Sequence, residues 1–184
     1  MNLEIKRQFF HASFGIAAVT LLYFEILGLL FFLILFLIGI IVSIVYNRRK
    51  IKVIKWFLDK FDREGVYPGQ GALTFLLAIV LSLLLFEKNV ALASLMILSL
   101  GDSFSHLGKF GKIKHPFNNK KFIEGVVLGI LVGWLGAFFF VSSLVAFFGS
   151  SVAMLFESFE INILSRRIDD NIIIPLVAGV VMSL

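Results

Sequence analysis

Long apolar runs, separated by short polar segments, dominate the chain. They occupy residues 9–24, 26–46, 72–86, 90 into the stretch 101–115, 123–156 and 172–184. A helix needs about 20 residues to cross the hydrocarbon core of a bilayer, and the run 26–46 has that length. The run 123–156 suits a tight helical hairpin that turns near residues 141–143. The pattern predicts one all-α domain over residues 1–184, a polytopic transmembrane helical bundle of about seven short spans, with six as the alternative.

The basic residues predict an orientation for these spans. With the N-terminus in the cytoplasm, every Lys and Arg except Lys88 falls in a segment on the cytoplasmic side, as the positive-inside rule requires. The segment at about 47–64 has apolar residues at spacings of three and four with lysines between them, which is typical of an interfacial amphipathic helix. We expect a multi-pass protein of a prokaryotic plasma membrane, or of the ER membrane in a eukaryote, with its active site facing the cytoplasm.

Composition supports a membrane environment and excludes several kinds of chemistry. Hydrophobic residues make up 59% of the chain and charged residues 16%, whereas soluble domains average about 45–50% and about 25%. Cysteine is absent, which excludes disulfides, thiolate metal sites and a cysteine nucleophile. The net charge of +5 comes from basic residues lying between apolar runs, as beside anionic lipid headgroups. We therefore expect a lipid bilayer as partner and no nucleic acid.

Three ionisable residues near the N-terminus share one helical face. Glu4, Arg7 and His11 are spaced at i, i+3 and i+7, which places them on one side of a helix. Ionisable side chains within apolar segments usually mark a functional site, so Arg7 and His11 are catalytic candidates. Alternatively, Arg7 anchors the helix at the membrane interface and His11 hydrogen-bonds within the bundle.

A glycine-rich polar segment follows the fourth apolar run. Asp102 comes after only about a dozen apolar residues, so it should lie inside the membrane boundary and needs a cation, a proton or a metal. Glycines beside lysines let backbone N–H groups approach phosphate closely, although glycines also serve close helix packing. The candidate phosphate-binding residues here are Gly101, Ser105, Gly108, Lys109, Gly111 and Lys112.

Two further polar groups carry lysines and carboxylates on the same predicted side. One comprises Lys120, Lys121, Glu124 and Gly125, and the other extends from Glu157 to Asn171. The first group has a simpler interpretation as a positively charged flank of a span, and the second has one as helix caps. Together, however, the carboxylates would repel one another without a divalent cation. We therefore expect Mg²⁺, with ligands from Asp102, Glu124, Asp169 and Asp170, and Asn171 beside the bound ligand.

Several polar motifs occur along the chain in a distinctive order. They are Glu4, Arg7 and His11, then YPGQGALTF at 67–75, GDSFSHLGKFGK, NNKKFIEG and DDNIIIPLVAG. In this order the chain resembles the dolichol kinase, phytol kinase and CTP-dependent diacylglycerol kinase family of membrane lipid kinases. The resemblance implies transfer of the γ-phosphoryl group of CTP, or ATP, to the hydroxyl of a polyprenol, isoprenoid alcohol or diacylglycerol. It carries the family's nucleotide-binding stretch onto Asp102, Ser105, Gly108, Gly111, Lys120, Lys121, Glu124 and Gly125.

The roles of these residues follow from what phosphoryl transfer requires, which is mainly positioning and charge neutralisation. We expect Lys120 and Lys121 to hold the triphosphate and Glu124, with Asp169 or Asp170, to carry Mg²⁺. Asp102 would orient or deprotonate the alcohol, or bind the metal, and His11 is a rival base. A CDP-lipid-forming cytidylyltransferase and a small-molecule transporter are the alternatives. The pattern leaves the alcohol and the oligomeric state open.

Overall fold

Helices form where the chain has apolar runs. The computed structural model describes residues 3–49, 52, 54–55, 67–107, 111–116, 118–159, 162–163, 166–167 and 169–184. Its longer helices are α1 (Leu3–Tyr23), α2 (Leu29–Arg48), α3 (Gln70–Leu85), α4 (Lys88–Met96), α6 (Ile123–Ala137), α7 (Ser143–Ser158) and α8 (Asp170–Met182). Between α4 and the short α5 (Ser103–Leu107) lies one π-helical segment, Ile97–Asp102.

Two short antiparallel β pairs interrupt the helices. Strand β1 (Lys114–His115) pairs with β2 (Asn118–Phe122), and β3 (Asn162–Ile163) pairs with β4 (Arg166–Arg167). The first pair leads directly into α6, whose first residue donates its backbone N–H to the Ile113 carbonyl oxygen at 2.9 Å. The β1–β2 pair therefore fixes the position of the chain immediately before α6.

Small residues allow the central helices to pack closely. On α6, Gly129 and Gly133 face the π segment, and a Cβ added at Gly129 would lie 2.9 Å from the Gly101 carbonyl oxygen. Glycines at such spacings let helix backbones approach each other. The Ser150 hydroxyl of α7 donates to the Ile130 carbonyl oxygen of α6 at 2.8 Å. The π segment is thus held between neighbours in the centre of the molecule.

The structure confirms the helical character of the chain but not the predicted polytopic bundle of seven spans. Among the described residues only α2 is long and apolar enough to cross a membrane. Helices α3, α6, α7 and α8 are apolar but have 13 to 16 residues, hence lengths of about 20–24 Å, less than the hydrocarbon core of about 30 Å. Helix α1 has Lys6, Arg7 and His11 in its first half. The predicted seven-span architecture is therefore wrong, and the multi-pass topology derived from it lacks support.

The finer predictions of secondary structure had mixed outcomes. The hairpin expected within 123–156 corresponds to α6 and α7, which the turn at residues 138–142 joins. Helix α1 begins at Leu3, well before the apolar run that indicated it. The predicted interfacial helix at about 47–64 lies mostly outside the described residues.

Candidate functional site

The π segment places Asp102 at the centre of the candidate site. It ends at Asp102, whose residue exposure is only 4%. The next residue, Ser103, donates its hydroxyl to the Ser99 carbonyl oxygen at 2.7 Å. Single π turns inside α-helices recur at functional sites because the extra residue changes the direction of the side chains that follow.

Asp102, His106 and Glu157 form one group, which we call the Asp102 cluster. One potential ligand atom from each residue lies within 4.8 Å of those of the other two. His106 Nδ1 is 3.3 Å from Asp102 Oδ1 and 3.0 Å from the Asp102 carbonyl oxygen. Glu157 is fully buried, at 0% exposure, near the end of α7. The cluster thus joins the end of the π segment to the end of α7.

Lys121 joins the β1–β2 hairpin to this cluster. Its ammonium group pairs with the Glu157 carboxylate and donates to the Glu157 carbonyl oxygen at 2.6 Å. On the same strand, the Asn118 side-chain amide donates to the Ser158 carbonyl oxygen at 3.3 Å. Strand β2 is therefore held against the end of α7 by side-chain bonds, and these bring a lysine to a buried carboxylate.

Glu4 and Arg7 of α1 lie beside the cluster. Glu4 Oε1 accepts hydrogen bonds from Arg7 at 2.7 Å and from Gln8 at 3.1 Å. The same oxygen is 4.0 Å from His106 Nε2. Of the predicted polar face of α1, Glu4 therefore borders the Asp102 cluster and Arg7 pairs with Glu4.

His11 lies in a separate network with Asn171 of α8. Its Nε2 is 3.0 Å from Asn171 Oδ1, and its Nδ1 is 3.2 Å from the Ser103 hydroxyl. The Asn171 amide nitrogen donates to the Gly71 carbonyl oxygen at 3.1 Å and to the Thr74 hydroxyl at 3.0 Å. This network links α1, α3, α5 and α8, so Asn171 holds helices together rather than standing free beside a ligand.

Burial and neighbouring charges shift the ionisation of the cluster. Burial raises the pKa of Glu157 to about 7, against the lowering effect of Lys121. Burial would also raise the pKa of Asp102, but the charge and hydrogen bond of His106 outweigh it and hold that pKa well below its usual range. Burial lowers and Asp102 raises the pKa of His106, with a net increase. Asp102 therefore stays ionised near neutral pH, and its negative charge favours cations nearby.

The structure does not assemble the predicted Mg²⁺ ligands as a set. Glu124 is exposed and accepts backbone N–H bonds from Lys112 at 2.8 Å and Ile113 at 3.1 Å. Asp169 caps α8 by accepting from the Asn171 N–H at 3.0 Å. Asp170 is buried, and its charge acts on Glu157. Of the four, only Asp102 belongs to the one close group of acidic and histidine side chains found among the described residues.

The predicted phosphate-binding segment also differs from expectation. Gly101 lies in the packed π segment, against Gly129, and the Ser105 hydroxyl donates to the Asp102 carbonyl oxygen at 2.9 Å. The structure thus uses Gly101 for helix packing. Lys112 and Gly111 precede β1, Lys120 lies in β2 and Gly125 is buried in the first turn of α6. Gly108, Lys109 and the side chain of Lys120 lie outside the described part of the structure.

His106 and Glu157 belong to the cluster, although the sequence pattern assigned neither of them a role. His106 follows Asp102 by four positions, a spacing that puts both on one helical face. Glu157 ends a long apolar run, where a carboxylate is costly unless it is paired. Both signals were present in the sequence, but the distance of about fifty residues between Asp102 and Glu157 concealed their proximity.

The comparisons with known proteins give a distant relative. The chain is 27% identical over 188 aligned residues to an uncharacterized protein of Methanocaldococcus jannaschii, and the alignment covers 98% of this chain and 93% of that protein. No family model matches the chain. No solved structure matches it either. The relative has nearly the same length and carries no stated activity, so function must be argued from the site.

Proposed function

We propose that the chain is a membrane-associated lipid kinase. It transfers the γ-phosphoryl group of a nucleoside triphosphate, CTP by the family resemblance, to the hydroxyl of a polyprenol, isoprenoid alcohol or diacylglycerol. The observation that carries the proposal is the buried Asp102 cluster with Lys121 beside it. Buried carboxylates next to a lysine are what a site for a metal-bound triphosphate requires.

The polar atoms of the cluster fit a divalent cation. Glu157 Oε2 is buried and accepts no hydrogen bond from the described residues, while Asp102 Oδ1 faces His106 Nδ1 at 3.3 Å. Leaving charged oxygens in this state is costly without a positive partner, and Lys121 pairs with only one oxygen of Glu157. Asp102 and Glu157 would hold Mg²⁺, which when bound neutralises charge on the phosphates.

The remaining roles belong to side chains of this chain. Asp102, ionised near neutral pH, would hold the metal with Glu157 and orient the attacking hydroxyl. Lys121 neutralises charge on the transferred phosphoryl group. His11 is a positioning residue in this scheme and no longer a rival base, because both its ring nitrogens contact neighbours within the fold. Glu4 and Arg7 border the site as an ion pair.

A lipid substrate is consistent with the surface of the protein. Only Phe32 and Ser43 of α2 are buried, and α2 is the candidate membrane helix. Large apolar side chains are exposed on α6 and α7 as well, including Leu135, Phe148 and Leu155. Such a surface favours contact with lipid or an apolar partner. In this proposal the site faces the cytoplasm, where nucleoside triphosphates are available, at a plasma membrane in a prokaryote or the ER membrane in a eukaryote.

The test is phosphorylation of defined lipids by the purified protein. The full chain in detergent is incubated with Mg²⁺, labelled CTP or ATP, and a panel of polyprenols, geranylgeraniol and diacylglycerol. Lipid products are identified by mass. We expect one added phosphate. Absence of any modified lipid across the panel would contradict the proposal, and an added CMP unit with pyrophosphate release would show a cytidylyltransferase instead.

Variants connect the activity to the cluster. Asp102→Asn and Lys121→Ala each remove a charge that the reaction uses, so we expect turnover to fall by at least about 100-fold. Lys88→Ala is the matched control, because Lys88 pairs with exposed Glu25 and takes no part in the cluster. Size-exclusion profiles verify that all variants are folded. Wild-type rates in Asp102→Asn and Lys121→Ala would refute the site.

A further inference from the structure

We propose that Asp102, His106 and Glu157 form a site for a divalent transition-metal ion, which binds Mn²⁺ in preference to Mg²⁺. The claim that this ion is the catalytic cation rests on the proposed function. Binding of the ion to the cluster is measured without nucleotide or lipid. The two can therefore fail separately.

Buried oxygen atoms provide the first part of the argument. Asp102 is 4% exposed and Glu157 0%, and Glu157 Oε2 has no hydrogen-bond donor among the described residues. Lys121 faces the other oxygen, Oε1. Two carboxylates in one buried group repel each other unless a cation lies between them. Glu157 therefore has one unused oxygen in a group whose three potential ligand atoms lie within 4.8 Å of one another.

The orientation of His106 provides the second part. Its Nδ1 is 3.0 Å from the Asp102 carbonyl oxygen, and a carbonyl oxygen only accepts. Nδ1 therefore carries a proton in both ionisation states of the ring, and a metal ion on Nε2 would take the place of the second proton. Imidazoles that bind metals are commonly oriented in this way, by donating the other N–H to a carbonyl group. Glu4 Oε1 is 4.0 Å from Nε2 and brings another carboxylate to the same edge of the ring.

The donor set determines the kind of cation. Mg²⁺ prefers oxygen ligands and keeps several of its waters, whereas imidazole nitrogen suits first-row transition metals. A set of two carboxylate oxygens and one nitrogen is therefore better matched to Mn²⁺ than to Mg²⁺. Mn²⁺ also binds phosphate oxygens, so it remains compatible with the proposed phosphoryl transfer.

The experiment is Mn²⁺ binding followed by electron paramagnetic resonance. The full chain in detergent is stripped with a chelator and titrated with Mn²⁺, and bound metal is measured as loss of the free Mn²⁺ signal. We expect about one ion per chain, retained against an approximately tenfold excess of Mg²⁺. Electron spin echo modulation of the bound ion should show coupling to a ¹⁴N nucleus. No binding, or bound Mn²⁺ without nitrogen coupling, overturns the inference.

Variants assign the ligands. His106→Gln should abolish the nitrogen coupling and weaken Mn²⁺ binding by about tenfold or more, and Asp102→Asn and Glu157→Gln should weaken it similarly. Glu25→Gln is the control, because Glu25 is an exposed carboxylate outside the cluster. Nitrogen coupling that persists in folded His106→Gln would overturn the assignment, and the wild-type spectrum decides the question even if a variant fails to fold.

The result separates the two proposals. Nitrogen-coupled Mn²⁺ in a protein that modifies no lipid would leave the metal site standing and refute the kinase. Mg²⁺-supported lipid phosphorylation without Mn²⁺ binding would leave the kinase standing and refute the metal site.

Discussion

His11 shows how a single residue can change its interpretation once its neighbours are known. On the sequence it is an ionisable group within an apolar run and therefore a candidate base. In the structure Asn171 Oδ1 accepts from its Nε2, because the Asn171 amide nitrogen is already committed to Gly71 and Thr74. Burial lowers the pKa of His11, partly offset by Asp102. The neutral ring therefore has its proton on Nε2.

This arrangement predicts how the stability contribution of His11 depends on pH. The unfolded imidazole binds a proton near pH 6.5, whereas the lowered pKa keeps the folded one neutral. Acidification through about pH 6.5 therefore stabilises the unfolded chain selectively. The advantage in melting temperature of wild type over His11→Gln should shrink between about pH 8 and about pH 5.5, as measured by thermal unfolding in detergent. An advantage that grows on acidification would mean that His11 is charged in the fold.

At the scale of elements, the packing of α6 against the π segment determines the position of Asp102. A Cβ at Gly129 would meet the Gly101 carbonyl oxygen, which is backbone, as well as the Met154 and Ser105 side chains. Backbone cannot rotate away as a flexible side chain does, so α6 or the π segment must shift. Gly101 immediately precedes Asp102, and a shift there reaches the cluster.

We predict that Gly129→Ala costs about 1–3 kcal/mol of stability, as overpacking in a core does. It should also lower lipid phosphorylation beyond the loss expected from unfolding alone. Gly71→Ala is the matched control, because a Cβ there meets nothing within 4 Å and alanine favours helix by about 0.5–1 kcal/mol. Thermal unfolding and the lipid assay measure both variants. Equal stability and activity in the two would show that the approach of α6 to the π segment is unimportant.

Across the described residues, the exposed apolar surface supports the proposed membrane association, and α2 carries much of that surface. Ile41 on α2 is 60% exposed. Aspartate is about 3 kcal/mol less favourable than isoleucine at the centre of a membrane-inserted helix, so Ile41→Asp should move a substantial fraction of the protein from the carbonate-washed membrane pellet to the supernatant. Asn89→Asp adds the same charge at an exposed position of α4 and should leave the distribution unchanged. Full retention of Ile41→Asp in the pellet would contradict an apolar environment for α2.

The amino-acid sequence alone determined the local features of this protein. Apolar runs indicated the helices, including the hairpin of α6 and α7, because long uninterrupted apolar segments suit buried or membrane-embedded helices. The costly positions Asp102 and His11 were recognised because an ionisable group in an apolar run needs a partner, and Lys121 was recognised because it precedes a carboxylate at the start of a predicted span. These inferences depend on neighbours in the chain and on the composition of a segment, both of which are readable without a fold.

Only the tertiary structure decided which partner each ionisable group has. Glu124 and Asp169 carry the same carboxylate group as Asp102, yet their hydrogen-bond partners are backbone N–H groups. Glu157 of α7, in contrast, lies beside Asp102. The helix lengths also differ from the prediction. The apolar runs predicted seven spans, but helices α3, α6, α7 and α8 end after 13 to 16 residues, where turns and hairpins begin. Partner choice depends on distances between residues far apart in the chain, and those distances follow from how the glycine-lined helices pack.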